Sequence, residues 1–283
     1  MTDVFHKCFA LLVGFVALCG MAQAQTHSGF PVDIVAGPPP QPVMADGRAH
    51  LLYELHLTNY APLAIELTDI EVLGAEPKAL ASYRGKTLEK MVIPVEELSS
   101  AESPSENTGT QTIGEGHAVL IFFDLTLEVG MRPPAELRHR FSFSVARKNK
   151  ANYETTFDGP AVNVVQQLAP VLNAPLHGPG WVAFNALGAE DHRRSLNAVD
   201  GQERIPQRFA IDWMQLGPDG RLFHGDKNSN ANYYGYGTEV LAVADGQISD
   251  LKDGLPDNTG STERSARAIT MEFPINNAAL NFP

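Results

Sequence analysis

The sequence predicts an all-β protein: an N-terminal β-sandwich of immunoglobulin-like type over residues 30–165, then a second, incomplete β-sheet domain over residues 181–283. Three observations carry this expectation. Leu51, Tyr53, Leu55 and Leu57 alternate with Leu52, Glu54, His56 and Thr58, the period-2 pattern of a half-buried strand. Apolar runs at residues 64–73, 117–128 and 138–146 follow with polar, turn-forming connections and little helical periodicity between them. Residues 166–180 then form a linker, in which Leu168 to Gly180 carries three prolines and two glycines, and short β-type runs resume beyond it.

Ahead of the sandwich, residues 1–24 read as a cleavable export signal. Lys7 supplies the positive charge, Phe9 to Met21 the apolar run, and Ala22-Gln23-Ala24 the small-x-small cleavage site. The alternative is a lipoprotein signal ending at Cys19, with Leu18 standing where a small residue is wanted. The apolar run is too short to span a bilayer and no later segment supplies a span. The expected location is therefore the periplasm or the extracellular space, with no transmembrane segment after cleavage. Cys8 and Cys19 both fall inside the signal, so the mature chain is expected to fold without a disulfide, on core burial that roughly 260 residues make feasible. Lys and Arg number 21 against 33 Asp and Glu, a net charge of −12 that survives loss of Asp3 and Lys7 with the signal. With no basic run to offset it, that charge argues against nucleic acid or anionic lipid as a partner.

Within the sandwich, Gly37-Pro38-Pro39-Pro40 is a stiff extended lead-in, and Asp46-Gly47 marks a turn before the first clear strand. Asn59 to Pro62 ends that strand. Phe141, Phe143 and Val145 share one face of a later one, and Ser99 to Gly116 is a long polar loop. His50 and His56 fall on the solvent side of a single strand, about 20 Å apart, as ordinary surface histidines. Nothing in the sandwich looks catalytic, and it reads as a spacer or binding module. Beyond the linker, Trp181 to Asn185 is a short strand and Asp191 to Ser195 a compact charged element. Gln207 to Leu216 is expected as a strand, with Phe209, Ile211 and Trp213 on one face and Ala210, Asp212 and Met214 on the other. Asp245-Gly246 between two β-rich runs predicts a hairpin, and Arg267 to Met271 begins a further strand.

The order of these pieces is specific. His192 stands beside two arginines, Arg208-Phe209-Ala210-Ile211-Asp212-Trp213 follows, then Tyr233-Tyr234-Gly235-Tyr236-Gly237, then Glu239 to Ile248. From His192 to Asp253 the chain resembles the first half of the lysostaphin-type zinc metallopeptidase domain, whose members mostly cut peptide cross-links in bacterial cell walls. The segment YGTEVLAVADGQI carries the resemblance furthest. It implies zinc as cofactor, with His192 as first ligand and Asp212 as second; His224 is the alternative to the first, but Gly225-Asp226 and the Asn-rich run after it read better as a surface turn. It implies peptidoglycan or a peptide as substrate.

Zinc in such a site needs three protein ligands and one open position, where bound water becomes a nucleophile near neutral pH. In the family a later His-x-His supplies the third ligand and a proton-handling histidine. His224 is the last histidine here and no His-x-His occurs, so no catalytic residue is assigned. The expectation is an exported envelope protein of this peptidase family, inactive alone. It would be a truncated product or a degenerate paralogue whose sheet an envelope partner completes. Two alternatives stand beside it: a non-catalytic envelope binding or regulatory protein, and a two-domain structural protein. The Asp226 to Asn232 run lacks the ordered ligands of a calcium loop. No phosphate-cradling glycine motif, nucleotide fingerprint or serine-nucleophile elbow is present.

Overall fold

Runs of β-branched and aromatic residues broken by Gly, Pro and Asx positions give a chain of short strands. A computed structural model describes residues 29–75, 78–98, 109–184, 190–199, 201–248, 251 and 254. In chain order the elements are β1 (Val32–Ala36), β2 (Val43–Ala45), β3 (Arg48–Asn59), β4 (Ile65–Leu73), β5 (Ala79–Arg84), α1 (Gly85–Met91), β6 (Val92–Pro94), α2 (Val95–Leu98) and β7 (Thr112–Ile113). There follow β8 (Ala118–Thr126), β9 (Glu136–Val145), β10 (Tyr153–Asp158), β11 (Val162–Asn163), β12 (Trp181–Ala183), α3 (Glu190–Arg193), β13 (Asn197–Val199), β14 (Gln202–Arg204) and β15 (Trp213–Gln215). The expected export signal, loop residues 99–108, Asn185 and the expected strand at 267–271 lie outside the described residues.

The protein is all-β, with antiparallel sheets and few helical turns. One sheet runs β1-β3-β8-β6, with β2 also on β3, and a second runs β10-β9-β4-β5, with β7 on β4 and β11 on β9. Asp46 and Gly47 adopt φ of 51° and 72° and join the Ala45–Arg48 pair. These left-handed positions fit the right-handed strand twist of a two-residue hairpin.

Tyr53, Leu55 and Leu57 of β3 point between the two sheets with Ile121 and Phe123 of β8. Facing them across the sandwich is a row from β9: Leu137, His139, Phe141 and Phe143. Tyr53 stacks on Phe123 with ring centroids 4.7 Å apart, and its hydroxyl is 2.8 Å from His139 Nε2. In β4 the buried positions switch from Ile65 and Leu67 to Ile70 and Val72. The register shift against β9 between Leu67 and Asp69 allows this, because one extra residue moves the following side chains to the opposite face. Each fully buried aliphatic or aromatic side chain contributes roughly 2 kcal/mol.

The opposite face of β3 and β8 was expected to meet solvent, and it does not. Leu52 and Glu54 are buried there, as are Leu120 and Phe122. Leu196 and Ile205, which flank the β13–β14 hairpin, join Leu120, Phe122, Ile93 and Leu98 in one apolar cluster. His56 on the same face pairs with Glu203 of β14, and His50 lies 3.1 Å from the Thr126 hydroxyl. Neither histidine is therefore an ordinary solvent-side residue. The segment from α3 to Arg208 covers this face of the sandwich.

Residues 166–180 contain no strand or helix. They are tied to the sandwich by Ala169 N–H to the Pro42 carbonyl, at 2.9 Å, and to the C-terminal third by Asn173 N–H to the Val243 carbonyl, also 2.9 Å.

Two expected elements are corrected. Of Gln207 to Leu216, only Trp213–Gln215 is strand, paired with Trp181–Ala183. Gln207 to Ala210 turns instead, with Ala210 N–H on the Gln207 carbonyl at 2.9 Å, and Phe209 is 60 % exposed. Apolar alternation makes a strand only where a partner edge and a covering layer exist, and β12 is three residues long. Around Asp245-Gly246 no strand forms among the described residues, and Val240 and Ile248 are 75 % and 82 % exposed. A two-stranded hairpin with no sheet to join is marginal in water.

Candidate functional site

His192 sits in the single helical turn of α3, and the chain folds sharply after it. Ser195 Oγ donates to the His192 carbonyl at 2.8 Å, and Leu196 N–H bonds the Arg194 carbonyl at 2.8 Å. Leu196 then drops into the apolar cluster on β8. The two arginines that follow His192 are anchored to the sandwich. Arg193 donates to the Phe123 carbonyl of β8 and stands over the Phe122 ring, while Arg194 donates to the Lys90 carbonyl of α1 at 3.2 Å. These ties bury His192 to 6 % exposure.

Asp212 arrives from the residues just before β15, where Phe184 N–H bonds its carbonyl at 2.8 Å. Its Oδ2 lies 3.2 Å from His192 Nε2, and its side chain keeps 43 % exposure. His192 Nδ1 lies 3.1 Å from the Ala210 carbonyl. A carbonyl only accepts, so Nδ1 carries a proton. Nε2 is then the ring nitrogen that faces the carboxylate.

The 3.2 Å spacing is that of an ordinary imidazole–carboxylate contact, and two ligands of one metal would stand at a similar separation. Ligand bonds of about 2.0 Å at the tetrahedral angle place two donor atoms about 3.3 Å apart, against the 3.2 Å found. The Nδ1–carbonyl bond also matches the way zinc-bound imidazoles are held in one tautomer and orientation. The donor set stops at two. Among the described residues no group of three or more His, Cys, Asp or Glu is placed to hold a metal. His224 does not complete one. It lies in a turn, with its N–H on the Asn232 carbonyl at 3.0 Å and its ring against Tyr234 at 5.6 Å. The tyrosines nearby serve packing: Tyr233 lies on Phe223, and Tyr234 fills the space where a Cβ on Gly217 would stand.

A second set of charges lies beside Arg193. Glu54, in the centre of β3 and 3 % exposed, accepts from Arg208 Nη2. Burial raises the Glu54 carboxyl, with Arg208, His56 and Arg193 pulling it back down. Burial lowers the Arg193 guanidinium, opposed by Asp124 and Glu54. Sequence reading alone missed Glu54 and Arg208. The signal that could have found them is β8 itself, whose unbroken AVLIFF run marks a strand covered on both faces. A glutamate on the neighbouring strand then has to meet a buried cation.

No family model and no curated protein matches the sequence. Among solved structures, the X-ray structure of a Northeast Structural Genomics Consortium target is similar over 52 % of this chain and 97 % of its own, at 10 % identity and a TM-score of 0.31. At that score the likeness bears on neither fold nor function.

Proposed function

We propose that this chain is an exported cell-envelope protein of lysostaphin-type zinc-endopeptidase descent, in which His192 and Asp212 are two donors of an incomplete zinc site and the chain alone does not hydrolyse its substrate. The observation that supports this reading most is the 3.2 Å approach of His192 Nε2 to Asp212 Oδ2, with Nδ1 held by the Ala210 carbonyl. When bound in a complete site, zinc supplies an activated water and polarises a carbonyl. Here the residues of the chain orient the imidazole, shield it from water and keep one carboxylate oxygen against it. With two donors and no His-x-His in the sequence, no hydrolytic step follows from the residues present. Peptidoglycan or a secreted peptide is the ligand class that the descent suggests.

A second reading, a non-catalytic envelope binding or regulatory protein, is favoured by that incomplete donor set. Both readings meet in one experiment on residues 25–283: zinc titration with elemental analysis, for wild type, His192→Ala and Asp212→Ala, alongside a peptidoglycan-release assay. Zinc binding that both substitutions abolish, with no release, supports the proposal. Binding indifferent to Asp212 overturns it, an absence of binding leaves the second reading in its place, and measurable release overturns the claim of inactivity.

A further inference from the structure

The connection between β11 and β12 presents an aliphatic side chain that nothing covers. Val171 is 98 % exposed, and Leu172 after it 48 %. The chain runs from Leu168 to Ala174 without a turn or bend, and the prolines at 170 and 175 hold Ala169 and Ala174 in extended backbone. Both ends of the run are pinned. On one side Ala169 N–H bonds the Pro42 carbonyl at 2.9 Å, and Gln41 Nε2 donates to the Leu168 carbonyl at 3.1 Å. On the other Asn173 N–H bonds the Val243 carbonyl at 2.9 Å, and Leu241 N–H bonds the Pro175 carbonyl at 2.8 Å. Between the pins, among the described residues, the backbone groups of Val171 and Leu172 have no backbone partner. We propose that the Val171–Leu172 peptide bond is a site of limited proteolysis for an endopeptidase whose S1 pocket takes a small aliphatic side chain, and that the cut protein persists as two joined chains.

A cleft that takes an extended peptide holds it by main-chain hydrogen bonds and by pockets for single side chains. A straight surface run with unpaired amide and carbonyl groups supplies the first, and a bare valine supplies the second. The neighbouring bonds fit less well. Ala169–Pro170 and Ala174–Pro175 offer no N–H, and Leu172 is covered on one half of its surface where Val171 is not. Exposed connections are where nicking concentrates, and pins made of single surface hydrogen bonds open at low cost. In the cut, water adds across the bond. The C–N bond breaks, Val171 ends in a carboxylate, and Leu172 begins with an ammonium. The contacts that dock the α3–Arg208 segment on the sandwich lie away from this bond: Arg208 on Glu54, Glu203 on His56, and Leu196 and Ile205 against Leu120 and Phe122. Cutting leaves them in place and changes the cover from a tethered element into a dissociable one.

The test uses residues 25–283 and pancreatic elastase, whose S1 pocket is small, at a low ratio of protease to protein. Val171→Asp puts a charge where the pocket is apolar, at a position too exposed to disturb packing, and circular dichroism checks that its fold is kept. Mass spectrometry follows fragments that begin at Leu172, and size-exclusion chromatography follows whether the two pieces stay together. Within residues 109–184 the first cut is expected after Val171, at least about fivefold slower in Val171→Asp, with the two pieces eluting together until urea separates them. No cut after Val171, an earlier cut elsewhere in that range, a smaller slowing in the variant, or pieces that part without denaturant overturns the proposal.

Discussion

Asp212→Asn leaves a hydrogen-bonding group opposite His192 Nε2 and removes the charge. The Asn amide can donate to the lone pair that the Ala210 carbonyl forces onto Nε2. The substitution is expected to change stability by less than about 1 kcal/mol while abolishing zinc binding, which thermal melts and metal titration on the same sample check. A proton shared between His192 and Asp212 in place of a metal predicts the reverse: no zinc to lose. His139 gives a second prediction at this scale. Burial lowers its pKa from 6.5 to about 4, so the fold holds it neutral. Below pH 6.5 the unfolded chain binds a proton that the folded chain refuses, and stability falls as pH drops from 6.5 toward 4. It is fully present above 6.5, and the total loss is about 3 kcal/mol at 1.36 kcal/mol per unit. His139→Gln keeps a partner for the Tyr53 hydroxyl without titrating, and urea midpoints measured between pH 4 and 7 should flatten in that variant.

Among the elements, the docked segment from α3 to Arg208 rests on one ion pair and one apolar cluster. Arg208→Ala removes the cation hydrogen-bonded to the buried Glu54 and leaves His56 and Arg193 to offset its charge, which is expected to cost about 3 kcal/mol, whereas Glu54→Leu with Arg208→Leu costs less than Arg208→Ala because the buried carboxylate goes with its partner. Urea denaturation of the two variants and wild type decides between these outcomes. Period-2 patterning located β3, β4, β8 and β9, since a strand inside a sandwich answers chiefly to the residues of its own face. It failed where a strand depends on distant company. Phe209, Ile211 and Trp213 alternate like strand residues, yet β12 gives them too little edge. Asp245-Gly246 is a sound turn signal with no sheet beside it. Motif order singled out His192 and Asp212, whose side chains lie 3.2 Å apart, without reading what they do. The Glu54–Arg208 pair was not legible, because it spans 154 positions and no local pattern encodes such a contact.

For the whole molecule, the sandwich and the segment that covers it are not independent parts. A chain ending at residue 165 would expose Leu120, Phe122 and Leu52 and leave Glu54 unpaired. Such a fragment is expected to bind a hydrophobic dye and to melt at least 10 °C below residues 25–283, by dye fluorescence and calorimetry. Leu196→Ala in the full chain, expected to cost about 2–4 kcal/mol, should produce part of the same effect, with faster hydrogen exchange at β8.

The covered face also sets an order of events during folding. Loop closure between β3 and Arg208 spans more than half the chain, and non-local contacts of that kind form slowly. Until Ile205 docks, the sandwich carries an apolar sheet face with a carboxylate at its centre, the kind of transiently exposed surface that aggregates. Folding is thus timed by the docking of the last anchoring residues, and any delay in that step prolongs the interval in which the half-clad sheet can meet another copy of itself.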